Sequence, residues 1–127
     1  MTKSPTTIMR MFSKRSPQAD RIASRHVFER RIWIQLDRGS EKIAVQGWTR
    51  DLSESGLSAF VARGPVFGEL VTLEVPLSEN RKDVIPAKVV RTLGTECGFQ
   101  FTALSAEQRK RIQAVLQEHS ELPRRSR

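Results

Sequence analysis

The sequence predicts a mainly β fold: six short antiparallel strands forming a barrel or sandwich, followed by a C-terminal amphipathic helix. Three observations predict it. Runs of β-branched and aromatic residues recur at short, regular spacing, and Gly- and Pro-bearing breaks divide them. No helical pattern separates one run from the next, so a parallel sheet with crossover helices is excluded. Only after residue 104 does the period change from two to that of a helix.

Taken in order, Ile32–Leu36 carries Ile32, Trp33 and Ile34 and reads as the first strand. Asp37-Arg38-Gly39-Ser40 supplies turn chemistry, and Ile43–Thr49 returns, with Ile43, Val45 and Gly47 alternating against Ala44, Gln46 and Trp48. Leu57–Val61 is a short strand that Arg63-Gly64-Pro65 ends, and Leu70–Val75 alternates again after Gly68. Pro76–Asp83 reads as a polar loop. Val84–Leu93 has Pro86 near its start, where a missing N–H is tolerable, and Gly94-Thr95-Glu96 turns the chain into Cys97–Phe101. Ser105 with Gln108 three residues on is a capping-box pattern. The helix it opens runs from Ala106 to about Ser120, with Ile112, Val115, Leu116 and His119 on one face and Arg109, Lys110, Arg111, Gln113 and Glu118 elsewhere. Pro123 would stop it.

At 127 residues the chain suits one domain with a real core. Residues 1–20 read as a flexible N-terminal segment, 21–120 as the folded unit with an arginine-rich arm at its start, and 121–127 as a basic tail. Nothing resembles a signal peptide or a membrane span, and the single Cys97 excludes an internal disulfide framework, so a cytoplasmic location is expected. The charge of +8 is unevenly spread. Residues 1–31 carry eight Lys or Arg against Asp20 and Glu29, and 122–127 add Arg124, Arg125 and Arg127. Residues 32–121 hold eleven basic and twelve acidic side chains. A general nucleic-acid binder more often carries its basic patch on the fold itself. The near-neutral body and the absence of Tyr therefore count against DNA or RNA as partner.

Enzymatic patterns are poor. His26 and His119 form no HxxH or HExxH spacing, no CxxC exists and no glycine-rich phosphate loop is present, so no catalytic residue, metal or cofactor is expected. Two stretches carry more. Arg21 and Arg25 stand four apart ahead of the first strand, and a guanidinium fork can grip phosphate or the edge of guanine, or stack on a base. Asp51-Leu52-Ser53-Glu54-Ser55-Gly56-Leu57 sits between two strands and offers a carboxylate, two hydroxyls and a glycine. A plain tight turn and a polar binding pocket both fit that composition.

The order of these pieces strongly resembles the PilZ domain family. Arg21 and Arg25, a hairpin, Asp51, Ser53 and Gly56 with Leu57, further strands, Gly98-Phe99-Gln100-Phe101 and the helix follow one another over roughly Arg21 to Gln117. The resemblance implies a six-stranded antiparallel β-barrel of split-barrel type and a bacterial, non-enzymatic receptor for the second messenger cyclic di-GMP. It implies that Arg21 and Arg25 grip guanines and phosphates from the arm. Asp51 and Ser53 would bond the guanine edge, a phosphate or neighbouring groups on the barrel, and Gly56 would leave room for the ligand. The output would pass through another protein, such as flagellar, pilus, exopolysaccharide or signalling machinery. A degenerate family member that mediates protein interaction without binding the nucleotide is the alternative.

One departure from the family pattern concerns register. The second arginine usually stands closer to the aspartate than Arg25 does; Arg25 is 26 residues from Asp51, whereas Arg30 and Arg31 are 21 and 20 away. Either Arg21 and Arg25 keep the motif and the first hairpin is longer, or Arg30 takes the second place and the first falls on His26. The first register is preferred because loop insertion is energetically mild. Arg30 or Arg31 would then only assist.

Overall fold

The computed structural model describes residues 24–119. Arg21, the 1–20 segment and the 121–127 tail lie outside the described residues. In chain order the elements are β1 (His26–Val27), β2 (Arg31–Arg38), β3 (Glu41–Leu52), β4 (Gly56–Phe60), β5 (Leu70–Ser78), β6 (Arg81–Leu93), β7 (Glu96–Phe101) and α1 (Ala106–Glu118). The six strands expected from alternation are β2 to β7. Neighbouring strands run β3-β2-β5-β6-β7-β4, and β4 pairs again with β3, so the sheet closes into an antiparallel barrel. β1 is an additional outer strand on β3.

Two long strands make the closure. β3 pairs with β2 along its first part and with β4 along its last, while β6 does the same for β5 and β7. Each is bent by a register shift, between Thr49 and Asp51 in β3 and between Val89 and Arg91 in β6. Such bulges increase local twist and re-aim the side chains beside them. The alternation expected for β3 holds: Ile43, Val45, Gly47, Thr49 and Asp51 face inward, and Ala44, Gln46, Trp48 and Arg50 face out. Ile32, Ile34, Leu36, Leu73, Val75, Ile85 and Val89 fill the barrel, and Ile112, Val115 and Leu116 of α1 close over this core.

Three differences from the sequence reading bear on the site. The expected loop over Pro76–Asp83 is a hairpin instead, with only Glu79 and Asn80 in its turn. Asp83 is therefore a strand residue, buried, and both its oxygens accept from Arg111 of α1 at 2.6 and 2.9 Å. Arg111, expected away from the apolar face, thus fastens the helix to the barrel. Second, the arm is not free throughout: His26 and Val27 pair with Leu52 and Asp51. Phe28 N–H donates to Arg50 O at 3.2 Å, and the buried Thr49 hydroxyl donates to Phe28 O and accepts from Arg30 N–H. Third, β3 continues through Asp51 and Leu52, so the Asp51–Gly56 stretch is a strand end joined to a turn of Ser53, Glu54 and Ser55.

The helix begins as its sequence directs and ends at Glu118, ahead of the expected Ser120. Ser105 Oγ accepts from Gln108 N–H and Gln108 Oε1 from Ser105 N–H, completing the capping box. At the other end His119 leaves helical geometry, and its ring meets Phe28 edge-on at 5.6 Å between centroids. His26 Nδ1–H donates to His119 O at 3.0 Å, which ties the arm to the helix end.

Candidate functional site

A cleft of about 710 Å³ opens where the arm, the Ser53–Gly56 turn and the far strands meet. Arg25, Asp51, Ser53 and Gly56 all line it, so four of the five residues the resemblance singled out come together. The fifth, Arg21, is outside the described residues. Arg30 and Arg31 do not line the cleft. Arg30 lies over the Phe28 ring at 5.3 Å and donates to Glu29 O, and Arg31 pairs across from Trp48.

Asp51 is only 2% exposed, an unusual place for a carboxylate, and its oxygens are accounted for. Oδ1 accepts from Arg25 Nε–H at 3.2 Å and Nη2–H at 2.9 Å, and Oδ2 accepts from the Ser58 hydroxyl at 2.9 Å. Burial of a charge is tolerated only with such partners. Arg25 remains 44% exposed, and its Nη1 makes no bond among the described residues. The pair therefore presents a positioned guanidinium with capacity left for an incoming acceptor. Sequence reasoning missed Ser58. The signal was a hydroxyl inside an otherwise apolar strand, since a buried polar group needs a partner.

The turn is held by its own side chains. Ser53 Oγ accepts from Ser55 N–H at 3.2 Å, and Ser53 N–H donates to Gly56 O at 2.8 Å. A Cβ added at Gly56 would lie 2.0 Å from Phe99 O of the neighbouring strand. The glycine was expected to leave room for a ligand; the close approach of β4 and β7 requires it first.

Val90, Arg91, Gly98, Gln100 and Arg109 complete the cleft. Gly98 and Gln100 belong to the Gly98–Phe101 stretch that carried the resemblance, but none of the five was given a ligand role from the sequence. Arg91 follows the β6 bulge as Asp51 follows the β3 bulge, so both irregularities border the site. Arg91 donates to Glu96 at 3.2 Å, as Arg50 does at 2.8 Å. Nearby Cys97 is buried, and that burial pushes its thiol above the usual range, outweighing the opposing influence of Arg91. A protonated, enclosed thiol is a poor nucleophile. No cluster of His, Cys, Asp or Glu among the described residues could hold a metal ion.

The sequence model of the PilZ domain matches residues 16–118. The chain belongs to the PilZ domain family. PilZ domains generally bind cyclic di-GMP and act in signalling as receptor or adaptor modules, not typically as enzymes. The fold agrees. The PilZ domain of CeSA from a cellulose-synthesizing bacterium superposes with a TM-score of 0.59 at 19% identity, covering 74% of this chain and 95% of that one. The PilZ domain of YcgR from Escherichia coli, solved with c-di-GMP, gives 0.61 at 15% identity, covering 79% and 91%. The Bacillus subtilis inhibitor of motility MotI/DgrA gives 0.53 at 22% identity, covering 77% of this PilZ chain and 48% of that chain. No curated protein matches the sequence. No helix among the described residues is long and apolar enough to cross a membrane.

Proposed function

We propose that this chain is a bacterial, cytoplasmic cyclic di-GMP receptor that binds the dinucleotide in the Arg25–Asp51 cleft and signals through a partner protein. Family membership supports the ligand class. The observation that carries the site is the Arg25 guanidinium, held at the cleft by a buried aspartate and still 44% exposed. Asp51 acts as the anchor that fixes Arg25. Arg25 then donates to a phosphate or to guanine O6/N7, the two acceptors a planar fork matches. Arg21, four residues earlier, supplies the second guanidinium from the arm. The turn of Ser53 to Gly56 forms the floor beside them.

The cleft position of Arg25, with Arg30 and Arg31 outside it, supports the register in which Arg21 and Arg25 carry the motif. Ligand binding orders the arm against the barrel, and the arm is already joined to α1 through His26, Phe28 and His119. The changed surface is what the partner reads. In this reading residues 1–20 precede the working unit of 21–120 and 121–127 follow as a basic tail.

Isothermal calorimetry tests it. Cyclic di-GMP titrated into the full chain should release or absorb heat with saturation at tens of micromolar ligand or below, an affinity of at least about 7 kcal/mol. No heat and no shift in thermal midpoint at that concentration would leave the interaction module that ignores the nucleotide as the better reading.

A further inference from the structure

Helix α1 contributes a residue to the cleft that the family motif does not name. Arg109 lines it from the helix side, together with Arg91 and Gln100. The three described arginines of the cleft differ in how they are satisfied. Arg25 donates to Asp51, and Arg91 donates to Glu96. The Arg109 guanidinium has no acceptor among the described residues; only its backbone N–H is bonded, to Ser105 O. It can therefore take an external anion without first breaking an ion pair.

Its place is fixed by its neighbours. Gln108 closes the capping box and its Nε2–H donates to Val84 O at 3.0 Å, while Arg111 grips the buried Asp83. Arg109 stands between these two attachments in sequence, on a helix turn tied twice to the same strand, at Val84 and Asp83 of β6. A cation so placed loses little backbone freedom when it binds, and a guanidinium matches phosphate oxygens bidentately.

Resting on the reading of the cleft as a cyclic di-GMP site, we propose that Arg109 binds a phosphate of the bound dinucleotide and so joins the ligand to helix α1. The ligand then bridges the arm, through Arg25, to the same helix whose other end the arm already holds at His119. Helix α1 thereby becomes part of what ligand occupancy rigidifies.

The test is calorimetric titration of cyclic di-GMP into the full chain as wild type, Arg109→Ala, Arg109→Lys, and Lys110→Ala, a neighbouring helix cation outside the cleft. Arg109→Ala should bind about 10-fold more weakly at low salt, with the deficit shrinking as salt screens the contact. Arg109→Lys should recover part of the loss, and Lys110→Ala should match wild type. Thermal midpoints equal to wild type, expected because Arg109 is exposed, keep the comparison on binding, and Arg109→Gln repeats it with another shape. Unchanged affinity in Arg109→Ala and Arg109→Gln beside a binding wild type would overturn this inference alone. Equal losses in Lys110→Ala would reduce it to net charge. A wild type that does not bind would overturn the cleft reading together with it.

Discussion

Replacing Arg25 with alanine should weaken cyclic di-GMP binding by on the order of 100-fold while leaving a folded protein. The loss follows from the pair's geometry. Arg25 spends Nε and one Nη2 hydrogen on Asp51 Oδ1, which leaves the rest of its fork available to an external acceptor. Charge-assisted hydrogen bonds of this kind contribute about 1.5–3 kcal/mol each, so losing the ligand contact alone removes one to two decades. The stability cost is smaller. Asp51 would keep the Ser58 hydroxyl, and water can enter where a 44% exposed side chain stood, which places the expected destabilisation near 1 kcal/mol, about 4–8 °C in thermal midpoint. Arg25→Lys should rescue the midpoint better than the affinity, because an ammonium restores charge but not the fork. Calorimetry beside thermal denaturation separates the two quantities. An Arg25→Ala variant that binds within two-fold of wild type would remove Arg25 from the site.

Gly56→Ala should be the most destabilising of the glycine-to-alanine changes. The new carbon would meet Phe99 O at 2.0 Å, Phe99 C at 3.1 Å and Gln100 Cα at 3.2 Å, all backbone of β7. No rotamer relieves a contact with backbone, so β4 must separate from β7 where Gly56 pairs with Gln100. Overpacking of this severity costs about 3 kcal/mol or more, a fall of roughly 10–20 °C in midpoint. Gly94→Ala is the control. Gly94 has φ 62° with open space around it, so only the left-handed backbone is penalised, at about 1 kcal/mol. If Gly56→Ala melts no lower than Gly94→Ala, close strand approach is not why glycine stands there. Because the Ser53–Ser55 turn hangs from this pairing, the same substitution should also disturb the cleft.

These two residues show what a sequence discloses and what it withholds. Strand alternation made the barrel legible: inward Ile32, Ile34 and Leu36, or Val71, Leu73 and Val75, bury at the expected period. The short β1 was not legible, because two residues carry no period; it exists through Thr49 and the backbone of β3. Asp83 read as loop because it sits among charges, and only its distant partner Arg111 makes burial tolerable. At the site, residue types and their order pointed to Arg25, Asp51, Ser53 and Gly56. The division of labour among them depended on three-dimensional partners. Ser58 and Arg25 saturate Asp51, and the β7 backbone, not a ligand, demands Gly56 first. Arg91 and Arg109 reach the cleft through a bulge and a helix crossing that no local pattern announces.

Cyclic di-GMP bound between Arg25 and the β6–β7–α1 wall would change the surroundings of the amides that line the cleft. Amide ¹H–¹⁵N shifts of the full chain, followed during titration with cyclic di-GMP, test it most directly. The largest changes are expected at Arg25, Asp51 to Leu57, Arg91, Gly98 to Gln100 and Arg109, with Trp48, Phe67 and Leu93 unmoved. Shifts centred on those three residues, none of which lines the cleft, or no shifts at saturating ligand, would rule this site out.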